Sequence, residues 1–347
     1  MRKIVLLLVM VFSVMMMWAE NYASNARAVQ VERTMVITYD LSETSNVRLL
    51  ISTNMSNDFK ELKQVTGDVG RNVPAGTNRQ ITWNVLEEYD RFVADGVRFM
   101  VEAYRKECIF SVSPSKKVMF SPGNLQYHPA NKKWRFAESQ LDYIGAANKN
   151  CFSTYNGWLD LFGWSTSATN FGVSTSTSNS DYSGSFVDWG TNTIGTDTPN
   201  TWRTLTYDEW FYVVFNRPNA SSLNGIAQVN GVNGLILLPD NWVCPAGVTF
   251  KSGFHSISGV GYYYAAYQTF TAEQWSKLES AGAVFLPATG FRYGSDVDYV
   301  QGDGYYWSAT EDESNHAACL GFSEGGAGMY GNDFCYGLSV RLVKDLQ

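Results

Sequence analysis

The side chains able to do chemistry in this chain are few and poorly grouped. Five cysteines, Cys108, Cys151, Cys244, Cys319 and Cys335, form no CxxC pair, and the last two stand sixteen positions apart. Thiolates at that spacing can meet across paired strands, to bind copper or to oxidise to a disulfide. The three histidines, His128, His255 and His316, belong to no HExxH or Cys/His cluster, so each reads as a surface or packing histidine. Serines are abundant, and none is assigned as a nucleophile. No catalytic residue and no metal ligand is therefore expected.

Binding by exposed side chains fits the residue types better. From Leu286 to Val343 the chain reads as a short hydrophobic frame, with Phe285, Leu286, Tyr305, Trp307, Leu320, Phe322, Leu338, Val340 and Leu342 at strand-like spacing. Small, polar and aromatic residues lie between them. If Leu320 and Phe322 point inward, alternation turns Cys319, Gly321 and Ser323 outward. The stretch GGAGMYGNDFCYG then reads as a glycine-rich loop that puts Tyr330, Asn332, Asp333, Phe334, Cys335 and Tyr336 on the same outward face. With Arg292, Tyr293, Glu311 and Asp312 these form the expected ligand-binding set. Tyr and Phe offer rigid stacking area, and Asn and Asp offer adaptable hydrogen bonds.

The elements that must position this face follow from the rest of the chain. Aromatic residues make up 15% and charged residues 17% of 347 residues, a globular composition with room for two domains. The formal net charge is −7. A nucleic-acid partner is not expected, because such affinity rests on Lys and Arg meeting phosphate. Arg2 and Lys3 precede an apolar run that ends at Ala19, the pattern of a secretory signal peptide over residues 1–19. No later segment reads as membrane-spanning. An odd number of cysteines in so long an exported chain leaves the fold to its core and not to disulfides.

Residues 28–107 read as an all-β sandwich of immunoglobulin or fibronectin type. Met35, Ile37, Tyr39 and Leu41 alternate with Val36, Thr38 and Asp40, and the same spacing recurs at Val47, Leu49 and Ile51, at Ile81, Trp83 and Val85, and at Val97, Phe99, Val101 and Ala103. From Phe110 the chain starts strand-like, and Tyr155 to Trp189 then reads as a long, irregular but packed region anchored by aromatics. Two helix starts follow, with Thr206/Glu209 and Thr271/Gln274 in capping-box spacing. Residues 110–347 thus read as a second, α+β domain.

The segments FSPGNLQY, WRFAE, LDLFGWST, WRTLTYDEW, LLPDNW, AGAVFLPATGFR, GYYWSAT and GLSVRLV, in this order, resemble a secreted bacterial family of the Fibrobacter succinogenes major domain type. That family is related to the formylglycine-generating-enzyme-like group. The resemblance covers about Phe110 to Val343 and implies a C-type lectin-like fold for residues 110–347. It also implies a protein that is secreted or held at the surface or in the periplasm of a Gram-negative bacterium. The enzymes of the group carry two copper-binding cysteines a few residues apart, a spacing that Cys319 and Cys335 do not share. Sugar-binding lectins of this fold hold calcium with carboxylates and amides, here represented by Glu311, Asp312, Glu313, Asn315, Asn332 and Asp333. The EPN and QPD triplets are missing, and GND at Gly331 is a faint match to WND, so no cofactor is assigned, calcium being one cation that these residue types allow.

Some lectin-like proteins are also diversified by retroelements that randomise adenines in Asn codons before the terminal strand. From Gly325 to Gly337 only Met329 lies outside what an AAC codon reaches. Cys319 and the Phe334-Cys335-Tyr336 run, odd for a surface, would be products of that process. The expected function is an exported, non-catalytic binding protein for a glycan or a cell-surface protein. A structural adhesin subunit and a copper oxidase of the sulfatase-maturation kind are the alternatives.

Overall fold

The computed structural model describes residues 22–42, 45–53, 59–89, 92, 94, 96–104, 108–164, 171–182, 184–257, 261–264, 267–313 and 315–346. The expected signal peptide lies outside them. Strand accounts for 44% of the structure and helix for 13%, and the chain divides into two compact units, Met1–Lys106 and Glu107–Gln347.

In the first unit the alternating residues do what their spacing dictates. Met35, Ile37, Tyr39 and Leu41 are all buried along the Thr34–Leu41 strand. That strand lies between Ala23–Val31 and Gly76–Asn84 in one four-stranded sheet, and Ser45–Ser52 pairs with Arg98–Tyr104 in a second. Residues of both sheets, among them Ile37, Leu49, Trp83 and Phe99, meet in a single core, an arrangement consistent with a β-sandwich. Val85 does not continue its strand. It opens a short helical turn, Val85–Glu88, whose Glu88 carboxylate accepts the Trp83 indole N–H at 2.9 Å and the Lys63 amide at 3.1 Å.

The second unit holds several sheets. Its two ends meet in one of them, where Lys117–Phe120 lies between Phe110–Ser111 and Val343–Leu346. A four-stranded sheet runs Gln268–Phe270, Asn224–Val229, Val232–Leu237, Val284–Pro287. A five-stranded sheet runs Phe254–Ile257, Gly261–Tyr264, Gly326–Asp333, His316–Ser323, Gly304–Glu313. Both helices start at capping boxes: Thr206 opens Tyr207–Phe211, which passes into a π-helical turn, and Thr271 opens Ala272–Ser280. The Thr side chain and the Glu209 or Gln274 side chain each satisfy a backbone N–H that the helix leaves unpaired. The described part of Tyr155–Trp189 is irregular and packed, with Trp164, Tyr182 and Trp189 buried. Among the described residues no helix is long and apolar enough to cross a membrane.

A polar network runs through the interior of this unit. Arg341 is 1% exposed and donates to Gln140 Oε1 at 2.6 Å and to Asn124 Oδ1 at 3.3 Å. Gln140 also accepts the Phe285 amide and donates to the Glu279 carboxylate and the Ala283 carbonyl. Asn124 donates to the Tyr306 hydroxyl, which donates to the Pro287 carbonyl, both at 3.0 Å. Burial pulls the Arg341 guanidinium down to about 10, still charged at neutral pH.

Asp160, wholly buried nearby, accepts from Asn148 Nδ2 at 2.7 Å and from the Ile144 amide at 3.0 Å. Burial nevertheless pushes its carboxyl up to about 6. The folded state then holds a proton that the unfolded chain, titrating near 3.9, has already lost, so stability falls as pH rises from about 4 to about 6. Asp160→Asn removes this titration. Urea unfolding at several pH values should show the wild type losing roughly 3 kcal/mol relative to the variant across that window, and parallel pH curves would refute it.

Candidate functional site

The three strands that carry the expected site are adjacent and antiparallel. Gly304–Glu313 pairs with His316–Ser323, which pairs with Gly326–Asp333. The second of these pairings is the first departure from the sequence reading, because GGAGMYGND forms a strand and not a loop. A glycine of the middle strand has a steric role beside it. A Cβ at Gly321 would lie 2.7 Å from the Tyr330 ring and 3.1 Å from the Tyr305 ring, so these two tyrosines roof the middle strand.

That roof overturns the simple inward/outward alternation. The middle strand is buried on both faces: Leu320 and Phe322 pack in one core, while Ala317 and Cys319 pack in another with Trp307 and Phe334. Cys319 is fully buried, its sulfur accepts from Asn332 Nδ2 at 3.0 Å, and burial pushes its thiol up to about 12. Gly321 is buried as well, and only Ser323, at the end of the strand, faces solvent. Phe334 and Cys335, each 2% exposed, turn inward too. The Phe334 ring stacks on Trp164 with centroids 4.7 Å apart, and the Cys335 amide donates to Asn179 Oδ1 at 3.1 Å. As core residues, Cys319, Phe334 and Cys335 need no surface randomisation to account for them.

Arg292 is also misassigned as a ligand contact. It is fully buried, and its guanidinium donates to the carbonyls of Ser174, Gly294 and Gly172 and to no carboxylate among the described residues. It therefore ties the Phe291–Tyr293 strand to the chain at 172–174. Gly337 makes room for it, since a Cβ there would lie 2.9 Å from the Arg292 side chain.

What reaches the surface is a set of aromatic rings. Tyr293 (42% exposed) and half-buried Tyr336 lie 5.0 Å apart, and Tyr336 lies 5.3 Å from Phe291. Tyr299, 64% exposed, stacks on Phe291 at 5.6 Å, and Tyr305 meets Phe291 edge-on at 6.0 Å. Through Gly321 the set extends from Tyr305 to Tyr330, 49% exposed. Phe291, Tyr299 and Tyr305 were not among the sequence-assigned residues. Tyr299 is unusual in its backbone, with φ +55°, a conformation that L residues with bulky side chains rarely take. The turn around it is held by the Gly302 and Asp303 amides donating to the Tyr299 carbonyl at 2.8 and 3.0 Å.

Carboxylates edge the rings. Asp296 and Asp298 are exposed on the strand paired with Phe291–Tyr293, and Asp303 accepts from the Tyr305 hydroxyl at 3.2 Å. Glu311 and Asp312 are exposed at the end of their strand. Asn332 and Asp333 are half-buried, with Asp333 held by Asn179 Nδ2 at 2.7 Å and by His316 Nε2 at 3.3 Å. Among the described residues no three His, Cys, Asp or Glu side chains group as a metal site. One letter pattern was missed in the sequence: GFSEG, residues 321–325, fits GxSxG. Its context is a strand that turns back into another strand at Ser323, not the strand-turn-helix that exposes a nucleophile.

A family model described as a domain of unknown function (DUF8237) matches residues 267–343, the stretch that contains all of these rings. No curated protein and no solved structure matches the chain.

The division between core and face predicts different mutational costs. Phe334→Ala should lower unfolding free energy by about 3–5 kcal/mol, whereas Tyr299→Ala and Tyr293→Ala should each cost under about 1 kcal/mol. Denaturant titration of the three variants checks this, and a small loss at Phe334 would contradict its place in the core.

Proposed function

We propose that this chain is an exported, non-catalytic binding protein in which an immunoglobulin-like sandwich precedes a C-type lectin-like unit. The observation that carries this reading is the aromatic set of Tyr293, Tyr299, Tyr336 and Tyr330, two on strands and two on the chain that follows a strand, backed by half-buried Phe291 and Tyr305. Exposed tyrosines offer large contact area at low conformational-entropy cost, and a preorganised frame reduces the ordering cost of association. The two helices within a strand-and-loop unit, and the packed irregular stretch before them, support the lectin-like assignment.

Copper chemistry at Cys319 and Cys335 is the weaker reading. Soft metals and oxidation chemistry take the thiolate, whereas burial raises both thiols and so favours their protonated form. The ligand, a glycan or a protein on another cell, is held in this proposal by side chains directly.

A binding screen of the full chain on glycan and bacterial-surface arrays, with calcium and with chelator, tests the proposal. Binding should persist in chelator and fall at least about tenfold in a Tyr293/Tyr299/Tyr336→Ala variant whose unfolding transition matches the wild type. Ligand binding that is indifferent to the triple substitution would overturn it.

A further inference from the structure

The charge around the aromatic face selects among ligands. Residues 284–343 contain eight Asp and Glu and only two arginines, with no lysine. Both arginines, Arg292 and Arg341, are buried at 0% and 1% exposure, the first bonded to backbone carbonyls and the second to side-chain amide oxygens. Neither presents a donor to a ligand. Among the described residues, Asp296, Asp298, Asp303, Glu311, Asp312 and Glu324 enter no salt bridge. Lys149, on the Gly145–Lys149 turn packed against Asp296–Asp298, tempers the charge at one edge.

Two features therefore coincide on one surface. Tyrosine faces carry the negative side of the ring quadrupole and attract a cation placed over them. The carboxylates beside them attract the same cation at longer range and favour its charge-assisted hydrogen bonds. An anionic polysaccharide or a phosphate-bearing surface is repelled by that field. A neutral sugar can stack on the rings but gains nothing from the net charge.

We infer that the occupant of this face is a lysine- or arginine-rich segment of another protein, its cations lying over Tyr293, Tyr299 and Tyr336 between Asp296, Asp298 and Asp303. The inference rests on the binding reading above and gives it a ligand class.

The test uses the full chain and a fluorescent lysine/arginine peptide of about eight residues, enough to span several rings. A glutamate peptide of equal length is the control. Anisotropy titrations at about 0.02 M and about 0.5 M salt should show binding of the basic peptide only, weakened at least about tenfold at the higher salt. Asp296→Asn, Asp298→Asn and Asp303→Asn together should weaken it about tenfold. A variant with the same loss of charge at exposed sites of the same unit outside this face, Glu138→Gln, Asp208→Asn and Glu273→Gln, should bind like the wild type. Equal weakening by both triple variants would mean non-specific attraction to an acidic protein and would overturn the inference, as would no binding of the peptide. If the arrays instead return a neutral glycan whose binding needs the tyrosines, the ligand class is wrong and the binding face stands. If nothing bound depends on the tyrosines, both fall.

Discussion

The second unit is organised around a guanidinium held in its interior. Arg341 lies in the final extended segment, whose backbone is tied in turn to Arg292, Phe162, Tyr305, Trp307, Leu125, Ser121 and Arg203. Arg341 adds two directed bonds, to Asn124 and Gln140, residues from a distant part of the sequence. A buried cation left without such acceptors would cost several kcal/mol, so the chain around it has to keep them in place. Its Nε nevertheless lacks a partner among the described residues, which makes the network a source of positional order more than of net stability.

That order is passed to the surface through a few directed contacts. Tyr306 links Asn124 to the Pro287 carbonyl, and Thr289 and Ser339 hydroxyls meet at 2.9 Å beneath the Phe291 strand. Three indoles add to it. Trp307 donates to the Phe162 carbonyl, Trp164 to the Ser308 carbonyl and Trp210 to the Trp307 carbonyl. The Trp164 ring then supports Phe334, two residues before Tyr336. Arg292 performs the equivalent task beneath Tyr293. Tyr293 and Tyr336 thus each lie one or two residues from an interior anchor, the arrangement that holds a contact residue within a narrow range of orientations.

Sequence reading succeeded where the determinants are local. A capping box is set by residues three apart, and both Thr206/Glu209 and Thr271/Gln274 form as spaced. The alternation of Met35, Ile37, Tyr39 and Leu41 matches their burial because only one face of that strand meets the core. It failed where burial depends on what covers a strand from above. Nothing local to AACLGFS says that Tyr305 and Tyr330 roof it, so Cys319 and Gly321 were placed outside. Arginine is rarely fully buried, and neither Arg292 nor Arg341 was read as core. Tyr299 was passed over because a left-handed tyrosine is held by the turn that contains it, and DVDYVQGDG gives a glycine signal only at positions 302 and 304.

The same internal use of arginine determines the character of the surface. Buried guanidinium groups still contribute positive potential through the protein, and Arg292 lies directly below the rings. They offer no hydrogen-bond donor to a ligand, however, because both side chains are buried. What the face presents is then mainly acceptor: carboxylates, ring faces and phenol oxygens, with phenol and amide protons as the minority. A surface built this way is complementary to a group that brings both positive charge and several N–H donors. A guanidinium or an ammonium on a flexible stem is the simplest group that does so.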